Sequence, residues 1–182
     1  MIVKYPSPIL KKKCSPVQIL RSKTWSGKEV KEVPEEIKIL GQEMIKTMAE
    51  NEGIGISAPQ VGKLKRIIVV HLIKERTPEE KSKTSPRVFI NPKILKKSKE
   101  TLIDEEGCLS FPGLFLKIKR AKEVEIEALN ENGEKIKVQA EGLPARIFQH
   151  EIDHLAGILF IDRISFWQRL KIGKKLKQLR IS

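Results

Sequence analysis

The chain has 182 residues, 40% of them hydrophobic and 32% charged, with a formal net charge of +13. This length suits one hydrophobic core better than two, and the apolar fraction excludes a disordered chain. No apolar run approaches the roughly 18–20 residues that cross a bilayer, and MIVKYPSPILKKKC lacks the apolar stretch and small-residue cleavage site of a secretory signal, so no membrane partner and a cytoplasmic location are expected.

Ser22–Lys31 and Lys74–Pro86 are polar and flanked by apolar pattern, and both read as surface loops. Between them, Pro34-Glu35-Glu36 suits a helix start, with proline at the first helical position and acids near the positive end of the dipole. Ile37, Leu40, Met44, Ile45 and Met48 continue at helical spacing to Gly53, which can end the element. The β-branched run Ile67–Ile73 reads as a buried strand. Val88–Ile90 and Ile94–Leu95 read as two strands turning at Asn91-Pro92. From Phe115 to Val138 the pattern alternates, with Leu116, Ile118, Val124, Ile126 and Ala128 on one face and a hairpin signal at Asn132-Gly133. Leu143–Leu155 returns to helical spacing, closed by Gly157, and Ser165 can cap a last helix over Phe166–Leu179. The expected class is α+β: antiparallel strands around a central helix, plus a C-terminal helix over about residues 165–182, all in a single domain 1–182.

The central helix carries His150-Glu151-Ile152-Asp153-His154, an H-E-x-x-H run holding two of the three histidines in the chain. Positions i and i+4 lie about 5–6 Å apart on one helical face, so both imidazoles can bind one metal ion, and Glu151 can serve as general base. A catalytic site of this kind needs a third protein ligand. Downstream no histidine follows His154, and the only acid is Asp162, which makes a zinc protease of the ordinary H-E-x-x-H type a poor fit. Upstream, Cys108 in EEGCLS is a stronger candidate, because thiolate binds divalent metals tightly, and Gly107 would let the backbone come close. Cys14 in KKKCSP and His71 inside a strand have no such context. The dense Gly and Pro of Gly53–Gly62 form a tight loop that fails the nucleotide pattern G-x-G-x-x-G, and it reads as a loop lining a substrate site.

Taken together, GIGISAPQVG, EEGCLS and QHEIDH resemble the three motifs of bacterial peptide deformylases, in the family's order, and the resemblance runs from KYPSPILKKKC to about Arg163. It implies an α+β fold and removal of the formyl group from the N-terminal formyl-methionine of new polypeptides. It implies that Cys108, His150 and His154 bind one divalent metal, Fe(II) in the cell, with Zn(II) or Ni(II) able to replace it. Glu151 would act as general acid and base while metal-bound hydroxide attacks the formyl carbon. Gln60 and the Leu109 backbone N–H would hold the oxyanion. Gly55 would contact the peptide backbone, and Ile54, Leu143 and Ile147 would line a methionine pocket. The chain departs from the common pattern at Ile56 and Ser57, where Leu and Ala are usual, and at Phe115, where some members carry Arg.

The charge is uneven. From Phe166 onward the chain has Arg169, Lys171, Lys174, Lys175, Lys177 and Arg180 and no acid. Such a segment suits phosphate-rich RNA, and the resemblance implies the ribosome as a partner. The bland alternative is a solvated helix packing one apolar side through Phe166, Leu170, Leu176 and Leu179.

Overall fold

The structure, a computed structural model, describes residues 1–23, 25–27, 29–72 and 85–179. The fold is α+β, as expected. Its centre is an antiparallel sheet built from β3 (Gly55–Ser57), β4 (Ile67–His71), β5 (Pro86–Lys97), β8 (Glu123–Leu129) and β9 (Lys135–Glu141), hydrogen-bonded in that order. A helix covers each face. On one side α1 (Glu35–Glu50) packs Ile37, Leu40, Met44 and Met48 against Ile67, Val69, Val88 and Ile90. On the other, α2 (Gly142–Leu155) packs Ala145, Phe148 and Leu155 against Ile68, Val70, Phe89 and Ile126. Alternate residues of β4 therefore enter different cores, which is why IIVV is continuous rather than alternating.

Pro34 caps α1 rather than filling its first turn, and Glu52, at φ 54°, takes the left-handed position expected of Gly53. The expected turn at Asn91-Pro92 is a bulge within the single strand β5, where the register against β8 shifts between Ile90 and Lys93. Asn91 sits at φ 51°, and its side chain accepts from Val17 N–H at 2.8 Å and donates to Val17 C=O at 2.9 Å, tethering the N-terminal segment. Part of the first expected loop is ordered as a hairpin of β1 (Leu20–Lys23) and β2 (Glu29–Glu32). Its described side chains are exposed, so no apolar alternation betrays it. The second expected loop falls almost wholly at residues 73–84, outside the described residues.

A second hairpin pairs β6 (Thr101–Glu106) with β7 (Leu116–Ala121). The nine-residue connection between them starts at Gly107 and contains Cys108. Phe111, Leu114 and Ile118 from this unit join Leu10, Phe160 and Leu176 in a third core that fastens both ends of the chain to it. The expected last helix is split at Ile172 into α3 (Phe166–Lys171), capped by Ser165, and α4 (Gly173–Gln178). Glycine, a poor helix former, follows the break. Of the four apolar residues expected to pack, Leu176 is buried and Leu179 partly so, whereas Phe166 and Leu170 are exposed.

Candidate metal centre

The central helix α2 is buried on nearly all sides from Ala145 to Leu155. One turn apart on it, His150 and His154 face Cys108. The ligating atoms of the three residues lie within 4.8 Å of one another, near enough to converge on one ion at the roughly 2.0–2.3 Å of nitrogen and sulfur ligands. Cys108 Sγ is 3.3 Å from His154 Nε2.

A buried carboxylate sets the tautomer of His150. Glu106 Oε2 lies 3.0 Å from His150 Nδ1. Burial alone would raise the Glu106 pKa, but hydrogen bonds from His150 and Arg120 hold it down at about 2. An ionised carboxylate only accepts, so Nδ1 carries the hydrogen and Nε2 keeps its lone pair for a metal. Burial opposes charge on both imidazoles. At His150 this is outweighed by Cys108 and Glu106, and its pKa rises; at His154 burial and the neighbouring His150 push the pKa down. One thiol and two imidazoles whose ligating atoms converge are a donor set that suits a divalent cation.

Glu106 also accepts from Arg120 Nε at 2.9 Å and from Arg146 Nη1 at 2.7 Å. Arg120 reaches on to Asp153, which Arg163 also grips. This network supports α2 behind its ligands, and the sequence reading assigned its members no role. A signal was present: Arg120 shares the inward face of β7 with Leu116 and Ile118, and an arginine there needs a buried acid.

A pocket of about 370 Å³ opens over the centre. Nine of the ten residues singled out from the sequence line it: Ile54, Gly55, Gln60, Cys108, Leu109, Leu143, Ile147, His150 and Glu151. His154 lies behind them, fully buried. Burial pushes the Glu151 carboxyl up to about 7, and its Oε2 has no hydrogen-bond partner among the described residues. Gln60 donates from Nε2 to Cys108 Sγ at 3.5 Å. Gly55 has a steric reason to be glycine, since a Cβ there would stand 2.7 Å from Glu151 Oε1 and from Ile147. For Gly107 the close neighbour is Phe115, whose ring would lie 2.6 Å from a Cβ, rather than the metal ligands. Phe115 itself is exposed at the pocket rim. Cys14 is buried in the core beneath the sheet, apart from this cluster, and His71 ends β4 half-buried.

The family model for polypeptide deformylase matches residues 1–170. The chain belongs to the polypeptide deformylase family. The peptide deformylase of Neisseria gonorrhoeae is 46% identical over 152 residues, which cover 84% of this chain and 86% of that protein. That of Aquifex aeolicus is 38% identical over 178 residues, covering 98% and 95%. The crystal structure of Arabidopsis thaliana peptide deformylase 1B in complex with an inhibitor superposes with a TM-score of 0.82 at 37% identity, covering 98% of this chain and 88% of that one. The chain is thus a deformylase, an enzyme of protein biosynthesis acting on formylated nascent peptides, and the family is one of metalloenzymes. No helix among the described residues is long and apolar enough to cross a membrane.

The polar network has a measurable consequence. Arg120→Leu leaves Glu106 and Asp153 buried with reduced compensation, and should lower the unfolding free energy by about 3 kcal/mol. Urea denaturation measures it, and a loss below about 1 kcal/mol would show that the network does not brace α2.

Proposed function

We propose that this chain is a single metal-dependent catalytic unit spanning residues 1–182, which hydrolyses the formyl group of N-formylmethionyl peptides in the cytoplasm. The observation that carries the reading is the convergence of Cys108, His150 and His154 beside the buried Glu151 and the Gln60 amide at one pocket. Those three residues would hold one divalent ion: Fe(II) in the cell, with Zn(II) or Ni(II) able to occupy the site in purified protein. Such an ion, when bound, supplies Lewis-acid chemistry, acidifying water and polarising the formyl carbonyl.

The chain's own residues do the rest. Glu151, buried and near neutrality in pKa, takes the proton of the attacking water and delivers it to the leaving amine. Gln60 Nε2 and the Leu109 N–H donate to the oxygen on which negative charge develops. Gly55 meets the peptide backbone, as its lack of a side chain beside Glu151 allows. Ile54, Leu143 and Ile147 receive the methionine side chain. Ile147 is buried, whereas Ile54 and Leu143 are exposed at the opening, as expected of walls that a substrate covers.

Glu151→Ala should lower kcat/KM on formyl-Met-Ala-Ser by about 10²–10⁴-fold with metal content unchanged. Wild-type protein should release formate and leave internal peptide bonds intact. Full turnover by Glu151→Ala would refute the acid–base role, and cleavage of internal bonds would favour a protease.

The ribosome is the proposed partner of the C-terminal helices. Phe166, Trp167 and Leu170 of α3 are exposed beside Arg169 and Lys171, and α4 adds Lys174, Lys175 and Lys177. Leu176 belongs to the core, so charge reversal tests the idea better than deletion. Replacing Lys174, Lys175 and Lys177 by Glu should weaken ribosome binding and flatten its salt dependence, leaving peptide deformylation unchanged. Equal affinity and salt slope would remove the ribosome from the account.

A further inference from the structure

Ser57 is fully buried next to the pocket, where alanine would satisfy the packing. A buried hydroxyl is retained at no cost only if it is hydrogen-bonded. Its partner is Gln60: Ser57 Oγ donates to Gln60 Oε1 at 2.8 Å, and the Ser57 backbone N–H donates to the same oxygen at 2.8 Å. Ser57 is itself fixed, since β3 pairs with β4 in a register that sets Ser57 opposite Ile68.

These bonds matter because a carboxamide has two ends of nearly equal size and opposite polarity. Rotated by half a turn, Gln60 would present an acceptor to Cys108 Sγ and to any oxyanion in the pocket. It would also set its NH2 against the Ser57 N–H. With two donors on Oε1, the NH2 end is held toward Cys108, where Nε2 stands 3.5 Å from Sγ. Ser57 also adjoins the Glu151 carboxyl, so one hydroxyl lies between the proposed proton carrier and the proposed oxyanion donor.

We infer that Ser57 is a positioning residue for deformylation, which orients the Gln60 carboxamide so that its N–H faces the developing negative charge. The inference rests on the oxyanion role proposed above for Gln60. A group that acts through Gln60 rather than through the adjoining Glu151, and only where charge develops, should change kcat and leave KM alone. Its effect should also vanish once Gln60 is gone.

The test is a double-mutant cycle on metal-loaded full-length protein with formyl-Met-Ala-Ser. Gln60→Ala should lower kcat about 10²-fold. Ser57→Ala should lower it about 3- to 10-fold, as expected for one hydrogen bond, with KM unchanged. In the Gln60→Ala background, Ser57→Ala should have no further effect on kcat. If Ser57→Ala lowers kcat equally in both backgrounds, or not at all in the wild type, the positioning role is wrong. If Gln60→Ala leaves kcat intact, the oxyanion role of Gln60 fails and the inference with it. Urea midpoints of the variants separate this role from a structural one: a side chain that merely caps the turn after β3 would shift the midpoint and leave kcat unchanged.

Discussion

The buried carboxylate of Glu106 ties the site to the fold. It ends β6 two residues before Cys108, and it accepts from His150 on α2, from Arg120 on β7 and from Arg146 near the start of α2. Burying a carboxylate costs several kcal/mol unless charge and hydrogen bonds offset it. Here two guanidiniums and an imidazole do so, which leaves the carboxylate little freedom to lie elsewhere. Its position fixes the tautomer of His150 and brings the Cys108 strand end against the helix. Through Arg120 the same restraint extends to Asp153, on the next turn of α2 from His150. The helix bearing both histidines is thereby gripped beside the pocket, which Glu106 and Arg146 also line, and the core between α2 and the sheet only has to hold it against the strands.

The fold was legible where burial is one-sided or complete. The helical spacing of Ile37 to Met48 reports a single buried face, whereas the alternation expected to mark one face covers two: Leu116 and Ile118 on β7 enter the third core, and Val124 and Ile126 on β8 enter the core under α2. The run IIVV reports a strand covered on both. It was less legible where local bonds override pattern. The hairpin of β1 and β2 is exposed on its described side chains and buries no apolar face that would mark it. Asn91-Pro92 has the composition of a turn but forms a bulge, because the Asn91 amide is held by Val17, 74 residues away. Ile172 breaks the last helix at a point where Leu176 must enter the core and Leu170 stays in water.

The same contrast runs through the site. The ligands and pocket residues were readable because HEIDH, EEGCLS and the loop ending at Gln60 carry chemistry in short spacings, and nine of the ten meet at one pocket. Their supports were not readable. Arg120, Arg146 and Asp153 act across 14 to 40 positions of sequence, distances at which only the folded chain pairs an acid with a base. Ser57 stood out only as a departure from a common pattern. Its two bonds to Gln60 give that departure a physical meaning. Much of the positive charge on the sheet is similarly local: Lys93 and Lys135 flank Glu127, and Lys96 and Lys137 flank Glu125. Such exposed pairs contribute little to stability. They leave the C-terminal helices, like the first 28 residues of the chain, as a segment where cations lack acidic neighbours in sequence.

The central claim is that one cation is bound by one sulfur and two nitrogens. X-ray absorption spectroscopy of anaerobically purified protein tests it most directly. The account expects about one metal per chain with a sulfur neighbour near 2.3 Å and nitrogen neighbours near 2.0–2.1 Å, the sulfur contribution disappearing in Cys108→Ala. A bound metal with no sulfur neighbour, or one whose spectrum is unchanged by Cys108→Ala, would contradict it.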